Sequence, residues 1–201
     1  MSTGRAVLLA SCYILGSIPT GYWLGKLWKG VDVRQFGSGN LGATNVFRVL
    51  GVIPGVFTLG IDIMKGLAAV MIAKHFFPSE LSTSIYAGAA AILGHTTSVF
   101  VRFRGGKGVA TSAGVFLALL PMPSAAALTA FVVVFSITRY VSLGSLIGAY
   151  TLAAMSFVLS APPALSWAAV AIALFVTWTH RTNIRRLAQG TENRILWSRT
   201  S

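Results

Sequence analysis

The chain has 201 residues, 55% of them hydrophobic and 10% charged, and its mean hydropathy is +0.75. A soluble domain carries roughly 25% charged residues, so this length of chain lacks the charged surface a water-soluble enzyme needs. Sixteen Lys and Arg against four Asp and Glu give a formal charge of +12, but the basic residues flank apolar runs. That arrangement orients membrane helices and meets anionic lipid; a nucleic-acid partner is not expected.

A spanning helix needs about 20 mostly apolar residues. In chain order the predicted spans are 5–25, 51–73, 84–101, 109–120, 124–138, 143–160 and 164–179. The expectation is therefore an all-α integral membrane protein of about seven transmembrane helices, forming one polytopic domain over 1–201. Pro121 and Pro123, and later Pro162 and Pro163, break the chain between spans. The fourth and fifth spans are short and could pair as a re-entrant hairpin. No cleaved signal peptide is expected, because the apolar run after Arg5 exceeds signal length. Leu9-Ala10-Ser11-Cys12 has the form of a lipoprotein processing box, but too little apolar chain precedes it. Cys12 is the lone cysteine, which excludes an internal disulfide.

The polar segments 26–50, 102–108 and 180–201 fall on one side of this arrangement. With the turn at Arg139 they hold thirteen of the sixteen basic residues, whereas Arg5 and Lys74 alone fall on the other side and Lys65 lies within a span. The bias places the N-terminus outside, the C-terminus in the cytoplasm and the polar segments on the cytoplasmic face. Gly51-x-x-x-Gly55 and Gly144-x-x-x-Gly148 fit close helix packing.

The first polar segment reads Gly37-Ser38-Gly39-Asn40-Leu41-Gly42-Ala43-Thr44-Asn45-Val46-Phe47-Arg48. Its glycines match G-x-G-x-x-G, but no strand precedes them, so a dinucleotide fold is rejected. Glycines can present backbone N–H groups to an anion. Ser38, Asn40, Thr44 and Asn45 add short polar groups, and Arg48 a bidentate phosphate donor. The second segment, Arg102-Phe103-Arg104-Gly105-Gly106-Lys107-Gly108, sets glycines beside a lysine just before a predicted helix N-terminus. The third runs from His180 to Asn193; if helical, it puts His180, Asn183 and Leu187 on one face.

Asp62 and Lys65, three apart in mid-span, are expected to neutralise each other on one helix face. His95 ends the third span and is open between a structural and a functional role; the position five residues on is Phe100, so the His-x-x-x-x-Asp pattern of soluble acyltransferases is absent. No metal site is expected, since no cysteine pair or cluster of His with carboxylates occurs.

Together these segments resemble the PlsY family, the bacterial acyl-phosphate-dependent glycerol-3-phosphate acyltransferases. The resemblance runs through Gly16-Ser17-Ile18-Pro19-Thr20-Gly21-Tyr22, Ser38 to Arg48, Asp62-x-x-Lys65-Gly66, Gly94-His95, Phe103 to Thr111 and His180 to Glu192. It covers nearly the whole chain, in order. It implies transfer of a fatty acyl group from acyl phosphate to the sn-1 hydroxyl of glycerol 3-phosphate, giving lysophosphatidic acid and phosphate, without a cofactor, in the bacterial cytoplasmic membrane. By matching positions it implies catalytic roles for Ser38, Arg48, Lys107, His180 and Asn183. It implies substrate contacts for Gly39, Asn40, Thr44, Asn45, Gly105, Gly106, Gly108, Arg186 and Glu192. Arg48, Lys107, His180 and Asn183 go chiefly to glycerol 3-phosphate, and Ser38, Asn40, Thr44, Gly105 and Gly106 to the acyl phosphate, though neighbouring segments could exchange these tasks. The alternatives are a phosphate or phospholipid transporter, which needs a polar path through the spans, and a membrane protein that only binds lipid.

Overall fold

A computed structural model describes residues 2–195; Arg199 and the rest of the tail lie outside the described residues. Every regular element among the described residues is helical. The chain divides into two compact units, 1–119 and 120–201.

The first unit begins with α1 (Thr3–Ser17), which breaks at Ile18–Pro19 and resumes as α2 (Thr20–Lys29). The break follows from Pro19, which has no N–H to continue the ladder and disfavours helical geometry in the residue before it. Gly30, at φ +69°, ends α2. The span expected over 5–25 is therefore two helices, and the segment expected to be a loop from 26 contains the end of α2 and a short helix, α3 (Ala43–Leu50).

The long α4 (Val52–Phe76) follows, then α5 (Leu81–Thr96), a 3-10 turn at Val99–Val101 and α6 (Val109–Leu119). Leu8 and Cys12 of α1, Ala69 and Ala73 of α4, and Ala87 and Ala91 of α5 form one core. Small residues let these helices meet backbone to backbone: Gly16 lies against Ala91 and Gly94 against Tyr13, while Gly66 lies against Thr111 and Gly114 against Ile63. A second small core of Val33, Leu41, Val46, Leu50 and Val101 ties the first polar segment to the base of the second. At the opposite end, Arg5 pairs with Glu80, and Lys74 Nζ donates to the Ala118 carbonyl at 2.6 Å. The few charges of the predicted outer side thus gather at one end of this unit.

The second unit is α7 (Pro121–Thr138), α8 (Val141–Val158), α9 (Pro163–Thr179) and α10 (Arg181–Ala188). Pro121 and Pro163 each occupy a first helical position, where the missing N–H has no partner to lose. The fifth span therefore starts at 121 and not at the predicted 124. Gly144 and Gly148 pack on Phe131 and Ala127 of α7, as their spacing suggests. Gly51 does not follow that reading: it is the turn into α4, at φ +99°, with nothing close to it.

Among the described residues, five helical stretches are long and apolar enough to cross a bilayer, or six when α9 and α10, bent by 63°, are taken as one. The fourth predicted span, α6, has 11 residues, about 16 Å at the helical rise, or roughly half the hydrocarbon core. Exposed Met122, Leu128, Val132, Val133 and Ile137 on α7 are side chains a bilayer would solvate.

Candidate functional site

In the first unit the polar segment between α2 and α4 is built around Asn45. Its side chain is buried, 1% exposed. Oδ1 accepts from the Ser38 N–H at 2.8 Å, and Nδ2 donates to the carbonyls of Val33 (2.9 Å) and Phe36 (3.1 Å). This amide replaces a piece of secondary structure, closing the turn at Gly37, whose φ of +59° suits glycine. Asn40 Oδ1 accepts from the Gly42 N–H at 2.8 Å, which shapes the entry to α3. The Gly39 N–H donates to the Phe36 carbonyl at 3.1 Å. Arg48, on α3, is exposed and Thr44 half-buried.

Beside this turn Asp32 and Arg34 form a two-pronged pair, with Nη2 to Oδ2 at 2.7 Å and Nε to Oδ1 at 3.0 Å. Arg34 also stacks over the Tyr22 ring and reaches the Val101 carbonyl at 3.4 Å. The hydrogen bonds from Arg34 hold the Asp32 carboxyl below its ordinary range, and Asp32 in return raises Arg34. Tyr22, Arg34, Gly39, Phe100, Arg102 and Arg104 line an open cleft of about 710 Å³. The sequence motifs assign no site role to Arg34 or Tyr22; the Asp32-x-Arg34 spacing is the only sign of this pair in the sequence.

The second segment is docked onto the end of α5. The Gly105 N–H donates to the Thr96 carbonyl and the Gly106 N–H to the His95 carbonyl, each at 3.0 Å. The N–H groups of Gly39, Gly105 and Gly106 are thus bonded inside the protein, so these glycines shape the turns. The polar and basic side chains beside these turns include those of Ser38, Thr44, Arg48 and Lys107. Gly108, at φ +83°, turns the chain into α6. Beneath the turn, Asp62 and Lys65 form the expected pair at 2.8 Å, both nearly dry. A transporter would have needed these two as a polar path; here they neutralise each other.

In the second unit the third segment forms a closed set. Glu192, buried, accepts from Asn183 Nδ2 (2.6 Å), Ser142 Oγ (2.9 Å) and Arg186 Nε (2.7 Å). Burial pushes the Glu192 carboxyl up, but these three donors and the Arg186 charge outweigh it, so its pKa lies below the ordinary range. Glu192 therefore orients Asn183 and Arg186. His180, 3% exposed, is the joint between α9 and α10. Its Nδ1 lies 2.8 Å from the Val176 carbonyl, which puts the proton of the neutral ring on Nδ1. His180, Asn183 and Leu187 turn inward on one face, as expected, while Arg185 is exposed. The Ile195 N–H donates to the Arg139 carbonyl at 3.0 Å, and Arg194 stacks on Tyr140, fastening the tail to the α7–α8 turn.

Among the described residues no three His, Cys, Asp or Glu side chains converge as a metal site. The fold and these segments define a multi-pass helical membrane protein with basic, glycine-shaped turns suited to phosphate. Residues 6–190 match the family model described as glycerol-3-phosphate acyltransferase. A glycerol-3-phosphate acyltransferase of Listeria monocytogenes is 46% identical over 203 residues, covering 98% of this chain and 100% of its own length. One from Geotalea daltonii is 47% identical over 191 residues, covering 95% and 97%. The crystal structure of PlsY, an integral membrane glycerol 3-phosphate acyltransferase, in its glycerol 3-phosphate form has a TM-score of 0.91 to this chain. The identity there is 38%, with 96% of each chain covered. The lysophosphatidic acid form has a TM-score of 0.89 at the same identity and coverage. The chain belongs to the PlsY family of glycerol-3-phosphate acyltransferases.

Proposed function

We propose that this protein transfers a fatty acyl group from acyl phosphate to the sn-1 hydroxyl of glycerol 3-phosphate, releasing lysophosphatidic acid and phosphate. The observation that carries this reading is the family match over 6–190, which takes in the first two basic segments and the third as far as Gly190. The PlsY structures captured with glycerol 3-phosphate and with lysophosphatidic acid support the acceptor and the product. Arg48, Lys107, His180 and Asn183 are assigned chiefly to glycerol 3-phosphate. Ser38, Asn40 and Thr44 are assigned to the acyl phosphate, with Gly39, Asn45, Gly105, Gly106 and Gly108 shaping the turns and Arg186 and Glu192 holding Asn183.

The reaction is a direct displacement. The acceptor oxygen bonds to the acyl carbon, the bond from that carbon to the phosphate oxygen breaks, and phosphate leaves with the electron pair. The hydroxyl proton passes to a substrate phosphate oxygen. Lys107 and Arg48 offset the repulsion of two phosphates, so the protein's contribution is positioning and electrostatic stabilisation. The serine that does meet a carboxylate, Ser142 on Glu192, is buried in a set that also engages Asn183 and Arg186, so we assign it to positioning and propose no acyl-enzyme.

The membrane arrangement belongs to the same proposal. Seven crossings, with α1 and α2 as one broken span, put the N-terminus outside and the motif segments in the cytoplasm of a bacterial inner membrane. The thirteen-to-two split of basic residues supports this orientation, and the chain acts as one domain. Purified protein given glycerol 3-phosphate and either acyl phosphate or an acyl thioester tests the donor. Product from acyl phosphate alone is expected, and product from the thioester alone would reject the reading.

A further inference from the structure

Thr20, Asp62, Lys65 and His95 converge in the first unit from α2, α4 and α5, and the displacement gives none of them a chemical step. Asp62, 2% exposed, accepts on Oδ1 from Lys65 Nζ at 2.8 Å and from Thr20 Oγ1 at 3.2 Å. Lys65 Nζ also donates to the Ile18 carbonyl at 3.2 Å, at the break between α1 and α2. The same Oδ1 lies 3.7 Å from His95 Nδ1, a close approach too long for a hydrogen bond. A buried ion pair adds little net stability, since desolvation offsets its attraction. Ionisable groups within a bilayer are kept mainly where they serve a site.

His95 is where this cluster meets the second polar segment. Its carbonyl receives the Gly106 N–H, and its imidazole lies directly under the Gly106 Cα. A methyl group on Gly106 would overlap Nε2, with Cε1 and Cδ2 at 2.8 and 3.0 Å. The next residue is Lys107. Beyond Gly108 the chain enters α6, which Gly66 and Gly114 lock against α4, the helix that also carries Asp62 and Lys65. The turn bearing Lys107 is therefore fixed from below by the His95 ring and from its far side by the α4–α6 crossing.

We infer that His95 is a positioning residue for Lys107: its imidazole, steadied by the Asp62–Lys65–Thr20 cluster, is the seat on which Gly106 rests and which sets the height of the lysine. The inference rests on the proposed role of Lys107 in holding a substrate phosphate.

The test is a pair of double-mutant cycles read in kcat, in KM for glycerol 3-phosphate and in thermal unfolding of the purified protein. Gly106→Ala should lower kcat/KM about 100-fold, the scale of a displacement near 1 Å. In the His95→Ala background the same methyl occupies the vacated space, so the double variant should recover at least about tenfold relative to Gly106→Ala alone. Gly105→Ala is the control. Its methyl meets the backbone of His95 and Thr96, which His95→Ala leaves in place, so no recovery is expected. In the second cycle His95→Ala should raise KM in the wild type and add nothing in a Lys107→Ala background, an outcome that a general loss of stability would not give. Where His95→Ala does not assemble, His95→Gln keeps a polar side chain whose flexible end can yield to the methyl added at position 106. Losses at 95 and 106 that simply multiply, or a full further loss from His95→Ala without Lys107, would overturn the inference. If Lys107→Ala alone proved harmless, the proposed role of the lysine would fail, while recovery at positions 95 and 106 would still report the seat.

Discussion

Replacing Asn45 isolates what the first glycine-rich turn contributes. The side chain makes three hydrogen bonds, to Ser38, Val33 and Phe36, at 2.8–3.1 Å, in a site closed to solvent. At about 1 kcal/mol net for each, the set contributes roughly 3 kcal/mol. Tenfold in population corresponds to about 1.4 kcal/mol, so Asn45→Ala should shift the ordered turn toward disorder on the order of 100-fold. A turn that is only fractionally ordered binds with an affinity reduced by that fraction, so kcat/KM should fall at least about tenfold with helix content by circular dichroism unchanged. Asn45→Asp sharpens the test. It is nearly isosteric and keeps the acceptor for Ser38, but it turns an oxygen toward the Val33 and Phe36 carbonyls. It should therefore be no more active than the alanine variant. Wild-type kcat/KM in either variant would refute the view that this amide holds the turn.

Lys107→Ala should lose at least about tenfold in kcat/KM, because a charge-assisted hydrogen bond to phosphate contributes roughly 1.5–3 kcal/mol. Exposed Arg185→Ala should lose much less, and equal losses would mean that the segments supply only bulk charge. Glu192 has a depressed folded pKa, so its contribution to stability is present above the unfolded value, about 4.3, and lost as pH falls through the folded pKa. The Ile195 amide should stay protected from hydrogen exchange down to about pH 4 and open below it; opening near pH 6, or the same acid profile in Glu192→Gln, would contradict this. A reporter fused after Ser201 should be active only if it works in the cytoplasm, and periplasmic activity would refute the orientation.

Much of this arrangement is legible in the sequence because it depends on local spacing. Asp62 and Lys65 are three apart on a helix, and their pairing follows from the period alone. Their further partners, Thr20, Ile18 and His95, lie 33 to 47 residues away in sequence, and no local pattern gives them. Asn45 shows the same limit. In a glycine-rich segment an amide reads as a ligand contact, and only the fold shows that its partners are carbonyls 9 and 12 residues back. Pro19 is visible in the sequence, yet a count of apolar residues runs through it. The helix α6 is legible as the short fourth element over 109–120, and what its 11 residues leave open is whether it spans, since they fall below the length a bilayer needs. The two Gly-x-x-x-Gly matches divide because packing at 144 and 148 needs a facing helix, whereas Gly51 supplies a backbone turn.

A single turnover of purified protein with acyl phosphate, followed by intact-protein mass measurement and product analysis before and after adding glycerol 3-phosphate, tests the displacement most directly. The protein mass should stay unchanged throughout, with lysophosphatidic acid and phosphate appearing in equal amounts only once the acceptor is present. A protein heavier by one acyl group before the acceptor is added, or no lysophosphatidic acid after it, would contradict the account.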